Sequence, residues 1–331
     1  MRVTFFLANA EGHLNVLRDL DPDRDWRRFQ QGEGAWILQT YLRLACERYP
    51  VQLSWRPPEE GIVVFHAKEG RRLRHRLRGR DNLILVGVRG DNREPLMADF
   101  EIVQNGRYAN GRKRFFIPHW PQPGLLPRDP DRGTRIERIA YKGFDANLHP
   151  DFRKPEWAEF LAGHGIQWIK DSVRFAGPET EAEALAWPDF RNVDLVLAVR
   201  PRERKMRTSK PATKLVNAWL AGVPALLGPE YQFREIRRSD LDYIEVTSAK
   251  EAQVAVRRLL ADPDLYREMV ENGRRRGAEF SVEAILPQWV ELLYQTIPDL
   301  ARQRSLLRDL PLPVRVAARR LGRWATLRPA R

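Results

Sequence analysis

The sequence predicts an α/β protein built from two Rossmann-like halves and closed by C-terminal helices. Three observations predict it. Short apolar runs recur along the chain, among them "VTFFLA", "GIVVF", "NLILVGV" and "NVDLVLAV". Strands buried on both faces read this way, without alternation. Helical or polar stretches separate the runs, which is the rhythm of parallel strands joined by crossovers. A proline-rich stretch, "RFFIPHWPQPGLLPRDPDRG" from Arg114 to Gly133, interrupts that rhythm, and the alternation restarts after it. At 331 residues the chain suits two domains of ordinary size. The boundaries read as 1–125, 126–297 and a basic helical tail over 298–331.

In the first half, Arg2 to Ala8 reads as a buried strand. "GEGAWILQTYLRLACERY" places Trp36, Ile37, Tyr41, Leu44 and Ala45 at helical spacing. "VQLSW" and "GIVVFHA" read as strands, "KEGRRLRHRLRGR" as a very basic helix or turn, and "NLILVGVRG" and "ADFEIVQNG" as further strands. The proline-rich stretch is expected to hold no regular structure. In the second half, "RIERIAYKG" is a strand and turn. "PEWAEFLAGHG" is a helix with Pro155 near its first turn and Gly163 and Gly165 near its end. "IQWIKDS", Val193 to Val199, "VPALLG" and "DYIEVTS" follow as strands. A helix over 212–221, a helix pair broken at Asp262-Pro263, and the amphipathic "SVEAILPQWVELLYQTI" complete the set. No fixed-period repeat and no low-complexity tract is present.

Hydrophobic residues make up 43% of the chain and there are ten Trp, enough for folded cores. The single cysteine, Cys46, cannot form an internal disulfide or a Cys-based metal site, and it points to a reducing compartment. The first ten residues read as a strand and not as a secretion signal. No apolar run approaches the ~18 residues of a spanning helix. A cytoplasmic protein is expected, at most peripheral at the inner face of a membrane. The net charge of +13 attracts polyanions, an anionic membrane face or phosphorylated small molecules.

One stretch concentrates the chemistry. In "RTSKPATKLVNAWLAGVPALLG", Arg207 to Gly228, Ser209 is a preferred N-cap residue and Pro211 suits a first helical position. Lys210 then falls on the first turn and Lys214 one turn later, with the Thr213 hydroxyl beside them. Cations oppose the dipole at a helix N-terminus, so an anion is expected there to offset them. A helix that follows a parallel strand starts at the edge where open α/β sheets bind ligands. The plainer alternative is a solvated basic helix start with Lys214 paired to an acid.

From this stretch onward, with "IEVTSAKEAQVAVRRLLADPDLYREMVENGRRRGAEFS" after it, the sequence resembles the C-terminal half of GT-B glycosyltransferases of the glycogen-synthase-like superfamily. The likeness runs from about Val193 to Ile297 and weakens in the first half. It implies two Rossmann-like domains facing across a cleft. It implies a nucleotide-sugar donor on the second domain and a glycan or lipid-linked acceptor on the first, with no cofactor beyond the donor. Many members carry Glu-x7-Glu, whose places here are Ser209 and Asn217. Asn217 retains a hydrogen-bonding group for a ribose but no charge. The family's diphosphate-holding cations point to Lys142, with Gly143 letting a ligand approach the backbone. The glycine-rich loop of Gly32 and Gly34 matches loops that face donor phosphate or acceptor.

Glycosyl transfer needs charge stabilisation at the departing diphosphate, which Lys142, Lys210, Lys214 and the helix start would supply without a metal. An inverting mechanism also needs a base beside the acceptor hydroxyl, for which Glu33, His66 and His119 are open candidates. Gly-x-Ser-x-Gly and Gly-x-Gly-x-x-Gly are both absent, which argues against a hydrolase elbow and a dinucleotide redox site. Two rival readings remain: a GT-B-like binding protein without catalysis, and a nucleic-acid-binding protein. The second lacks a recognisable module, so no nucleic-acid partner is expected. The tail "PVRVAARRLGRWATLRPAR" sets Val314, Ala317, Ala318, Leu321, Trp324 and Ala325 near one face with arginines elsewhere. With the basic stretch Arg71 to Arg80, it reads either as an anchor on an anionic membrane or as a helix packed on the first domain.

Overall fold

Two parallel sheets carry the chain. A computed structural model describes residues 1–30, 32–77, 80, 82–173, 187–201, 210–303 and 310–327, and the side chains of the last helix as far as residue 320. One unit comprises Met1–His119 and Ile285–Arg331, the other Trp120–Ala284. The helices from Ile285 onward thus count with the first unit, whereas the sequence boundaries place the stretch up to residue 297 with the second. No shift in composition marks that return.

In the first unit the strands are β1 (Val3–Phe6), β2 (Val51–Ser54), β3 (Gly61–His66), β4 (Leu83–Val88), β5 (Phe100–Val103) and β6 (Arg114–Phe116). Their order is β2-β1-β3-β4-β5-β6 and every pairing is parallel. The edge strand β6 forms just ahead of Pro118, so the first residues of the proline-rich stretch are regular after all. An edge strand ending before a proline loses no ladder donor.

In the second unit the strands are β7 (Arg138–Phe144), β8 (Gln167–Val173), β9 (Leu195–Ala198), β10 (Ala225–Leu227) and β11 (Ile244–Glu245). Their order is β11-β10-β9-β7-β8, again all parallel. Side chains alternate between two cores. Leu195, Leu197 and Leu226 enter one with Trp157 and Tyr266, while Val196, Ala198 and Leu227 enter the other with Leu215 and Trp219. This two-sided burial is why β9 reads as an unbroken apolar run.

Both sheets place their first strand between their second and third. The strand order therefore reverses between β1 and β3, and again between β7 and β9, the positions where ligands bind at the carboxyl ends of open α/β sheets.

Several helices follow the expected signals. Pro155 opens the helix Pro155–Gly163, and Asp262 caps the helix Pro263–Ala278 by accepting from the Leu265 amide. Two runs expected as plain helix contain one π-helical turn each, Gly34–Leu38 and Leu292–Thr296. The tail is also rearranged. In the helix Leu312–Leu327, Leu312 and Val316 join a core with Phe6, Phe65 and Leu73, and Arg315 and Arg319 turn inward to Asp99. Val314, Ala317 and Ala318, expected on the apolar contact face, are exposed. Two arginines reach the inner face because one carboxylate is there to receive both.

A buried charge cluster ties the incoming linker to the second sheet. Asp194, fully buried just before β9, accepts from Nε and Nη2 of both Arg128 and Arg132 at 2.8–3.0 Å. It also accepts from the amides of Glu137 and Arg138 at 2.8 and 2.9 Å. Burial acts to raise the Asp194 pKa, but the bonds from Arg132, the Glu137 amide and Arg128 outweigh it, and the net shift is downward. Asp194→Asn leaves the buried Arg128 guanidinium without its counter-charge and Arg132 with the exposed Glu137 alone. It is expected to cost about 3–5 kcal/mol, the usual loss when one partner of a buried pair is removed, read as a lowered urea midpoint.

Candidate functional site

In the second unit the site is the carboxyl edge between β7 and β9. The helix after β9 runs Thr213–Ala221, and Gly222 closes it at φ +68°. It starts later than the sequence predicts. Ala212 is the N-cap residue, so Lys210 and Pro211 lie ahead of the helix. The residue before a proline is driven out of helical conformation, which excludes Lys210 from the first turn. Lys214 is thereby the cation of that turn, next to Thr213 at the first position. Ser209 lies outside the described residues.

Lys214 folds its side chain back over the end of β7. Its ammonium donates to the carbonyl oxygen of Lys142 and stands 5.1 Å from the centre of the Tyr141 ring. Gly143 makes the approach possible. A Cβ there would sit 2.6 Å from Lys214 Nζ, and the residue holds φ +151°, which side chains disfavour. Part of the Lys214 residue reaches the surface, but its ammonium is enclosed, and this burial lowers its pKa to about 7. The charge of Arg200 pushes the same way, against the pull of Glu230.

Arg200 and Glu230 complete the edge. Arg200 follows β9, and its Nε meets Glu230 Oε2 at 2.7 Å. Glu230 caps the helix Tyr231–Ile236 beyond β10 and also accepts from Gln232 Nε2 at 2.6 Å. Burial raises the pKa of Glu230 despite these partners. Sequence reasoning missed both residues. The signal available was their position, immediately after buried strands on the ligand edge.

The other named residues take different places. The Lys142 side chain crosses to β8 and pairs with Asp171 Oδ2 at 2.5 Å, so only its carbonyl faces Lys214. Asn217 Oδ1 accepts from the Gln122 amide at 3.2 Å, which ties the helix to the linker.

In the first unit, the edge between β1 and β3 brings Glu33 and His66 together. His66 ends β3 with 1% of its surface exposed, and its Nδ1 lies 3.5 Å from Glu33 Oε1, an ion-pair distance at the limit of a hydrogen bond. This imidazole is the main cause that lowers the Glu33 pKa to about 2. A carboxyl held that low is a weak base at neutral pH. Gly90, at φ +54°, leaves room for the ring, since a Cβ would come within 2.9 Å of His66 Nε2. Gly34 has a packing cause, because a Cβ would meet the Arg28 carbonyl oxygen at 2.1 Å, whereas Gly32 serves a turn at φ +54°. His119 packs edge-on against Trp36 at 4.7 Å.

Among the described residues no group of three His, Cys, Asp or Glu side chains is placed to hold a metal. Asp-x-Asp spacings do occur, as at Asp21 and Asp23 or Asp129 and Asp131, but Asp21 and Asp129 cap their own turns by accepting main-chain N–H groups. No helix among the described residues is long and apolar enough to cross a membrane. A cavity of about 700 Å³ opens at the opposite, amino-terminal edge of the second sheet, lined by Arg128, Asp129, Arg191, Asn192 and Arg274. Arg128 and Arg191 there are already paired with Asp194 and Asp189.

Two parallel-sheet α/β units, each with its ligand edge at a strand-order reversal and followed by C-terminal helices, define the fold of the GT-B glycosyltransferases. In particular, the chain is similar to the sucrose-phosphate synthase of Thermosynechococcus elongatus, with 14% identity and a TM-score of 0.55 over 81% of this chain and 94% of that one. It is also similar to HepE of Anabaena in complex with UDP, with 16% identity and a TM-score of 0.51 over 88% of this chain and 99% of that one. HepE in complex with UDP-glucose gives 14% identity and a TM-score of 0.53 over the same shares. No family model and no curated protein matches the sequence.

The enclosed ammonium sets a pH signature. An unfolded lysine titrates near ~10.4. Between about pH 7 and pH 10 the unfolded chain therefore holds the proton that folded Lys214 has lost, and stability rises with pH. Lys214→Met removes this dependence. The variant is expected to be more stable than the parent at pH 7, with the difference shrinking toward pH 10 in thermal melts. A parent curve parallel to that of the variant over this range contradicts the enclosure of the charge.

Proposed function

We propose that the protein is a glycosyltransferase that moves a sugar from a nucleotide-sugar donor to a glycan or lipid-linked acceptor. One observation carries the reading. On a GT-B fold, the carboxyl edge of the second unit holds an enclosed lysine side chain, seated against a main-chain carbonyl where Gly143 carries no Cβ, and burial lowers its pKa to about 7. A diphosphate placed there restores the charge and accepts from the ammonium and from the first amides of the helix. Arg200 adds a second cation. The departing nucleoside diphosphate is stabilised by the same groups, with no metal in the scheme. Lys210 and Thr213 flank the position, and Lys142 contributes its carbonyl to hold Lys214.

The first unit receives the acceptor. Glu33 stays ionised 3.5 Å from His66 Nδ1, and Nε2 is the atom offered to take a proton from an acceptor hydroxyl. His66 is a buried base in this arrangement, and acceptor binding has to open a path to it. A donor-binding protein without turnover is the second reading, favoured by Asn217, whose oxygen is spent on the linker amide. Work at a membrane face remains part of the proposal for a lipid-linked acceptor, with the exposed arginines of the Gly70–Leu77 helix as the attracting charge.

Calorimetry with UDP, GDP, ADP and dTDP, followed by turnover with the matching nucleotide-sugars, tests the reading. Lys214→Met is expected to weaken the preferred diphosphate by at least about tenfold, ~1.4 kcal/mol. Binding is also expected to take up about one proton at pH 8 and none at pH 6, because the anion raises the pKa of Lys214. Equal affinity in a folded Lys214→Met variant, or no proton uptake at pH 8, removes the diphosphate from this edge. Binding without transfer to any acceptor selects the second reading.

A further inference from the structure

Trp55 follows β2 directly, on the same carboxyl edge of the first sheet that carries His66. Two guanidiniums are held on its ring. The Arg56 carbon stands 4.0 Å from the ring centroid and the Arg76 carbon 5.2 Å. The backbone of Arg56 and the guanidinium of Arg76 are fixed in place. Ser54 Oγ accepts from the Arg56 amide at 3.1 Å and donates to the Arg56 carbonyl at 2.7 Å, closing a tight turn. Arg76 Nη1 donates to the carbonyls of Ala8 and Trp55 at 3.2 and 2.7 Å, which orients its fork, and among the described residues Nε and Nη2 have no hydrogen-bond partner.

No carboxylate among the described residues pairs with either arginine. The nearest acid of the following loop, Glu59, is taken by Arg80 at 2.8 Å. Two like charges on one ring repel, and the ring quadrupole offsets only about 0.5–2 kcal/mol for each. Two guanidiniums on one ring, with no acid paired to either among the described residues, match an oxyanion.

We infer that Trp55, Arg56 and Arg76 form a seat for a phosphate or carboxylate on the acceptor, so that the acceptor is an anionic glycan or a phosphate-linked one. This rests on the glycosyltransferase reading for its biological role, but not for the binding itself. The strand ends of β2 and β3 lie two ladder steps apart, ~10 Å, a span that one or two sugar residues bridge between the seat and His66.

The test follows the Trp55 indole N–H resonance, assigned through Trp55→Phe, in the full-length protein. Inorganic phosphate and glucuronate are titrated separately, which distinguishes the two oxyanions. A saturable shift with at least one probe is expected, weakened about tenfold in Arg56→Gln and unchanged in Lys214→Met. Arg76→Lys, which keeps the charge but loses the fork, is expected to fall between the two. No shift with either probe, or a shift indifferent to Arg56→Gln, overturns the seat. A saturable Trp55 response without sugar transfer to any acceptor leaves the seat standing and removes the glycosyltransferase reading. Transfer to acceptors with no Trp55 response does the reverse.

Discussion

An ammonium enclosed against a main-chain carbonyl is the constraint on which the second unit's ligand edge depends. Lys214 reaches the Lys142 carbonyl only because three conditions hold together. Parallel β7 and β9 are neighbours, the helix starts after Pro211, and Gly143 carries no Cβ where Nζ sits. Lysine suits this place where arginine would not. A lysine pKa yields to burial, whereas a guanidinium keeps its proton and demands an acid. Arg200 shows the contrast: it stands on the same edge with Glu230 as its acid. One cation is thus neutralised internally, and the other is left to answer to whatever binds.

The two sheets repeat one strand arrangement but equip it differently. At the first unit's reversal, an acid and an imidazole face each other at 3.5 Å. At the second, an arginine pairs with the acid and a lysine stands beside them. An acid–imidazole pair is chemistry for moving a proton, and paired cations are chemistry for holding negative charge. The topology explains why both sets lie on carboxyl edges, since carboxyl ends at a strand-order reversal are where open sheets leave space. It does not dictate the side chains, which differ between the two edges.

Much of this was legible in the sequence. Unbroken apolar runs located β3, β4 and β9, because a strand covered on both faces has no polar side to show. Pro155, Asp262 and Gly222 marked helix ends through dihedral limits and capping that act locally. The failures share a cause, which is that they depend on partners distant in sequence. Lys142 was read as a ligand cation, but Asp171, across a strand pair, claims its ammonium. The tail reads as an apolar face with its arginines elsewhere, yet Asp99 draws Arg315 and Arg319 inward. The π-helical turn at Gly34 was hidden because its glycine answers to the backbone of Arg28 and not to the helical period. Arg200 and Glu230 were invisible as a pair, since only the adjacency of β9 and β10 brings them together.

Asn217 links these points. The family likeness expects an acid at this place, three residues after Lys214 and so on the same helix face. An acid there would pair with the ammonium, raise its pKa and leave less need for an anionic ligand. Asparagine supplies an oxygen for the Gln122 amide without that charge. A glutamate could accept the same bond, so the linker contact does not explain the substitution. What the substitution changes is the electrostatic balance. With no acid at 217 and Glu230 shared with Arg200, Lys214 has no full counter-charge among the described residues. An asparagine at 217 therefore leaves Lys214 without an acid on its own helix, which runs Thr213–Ala221.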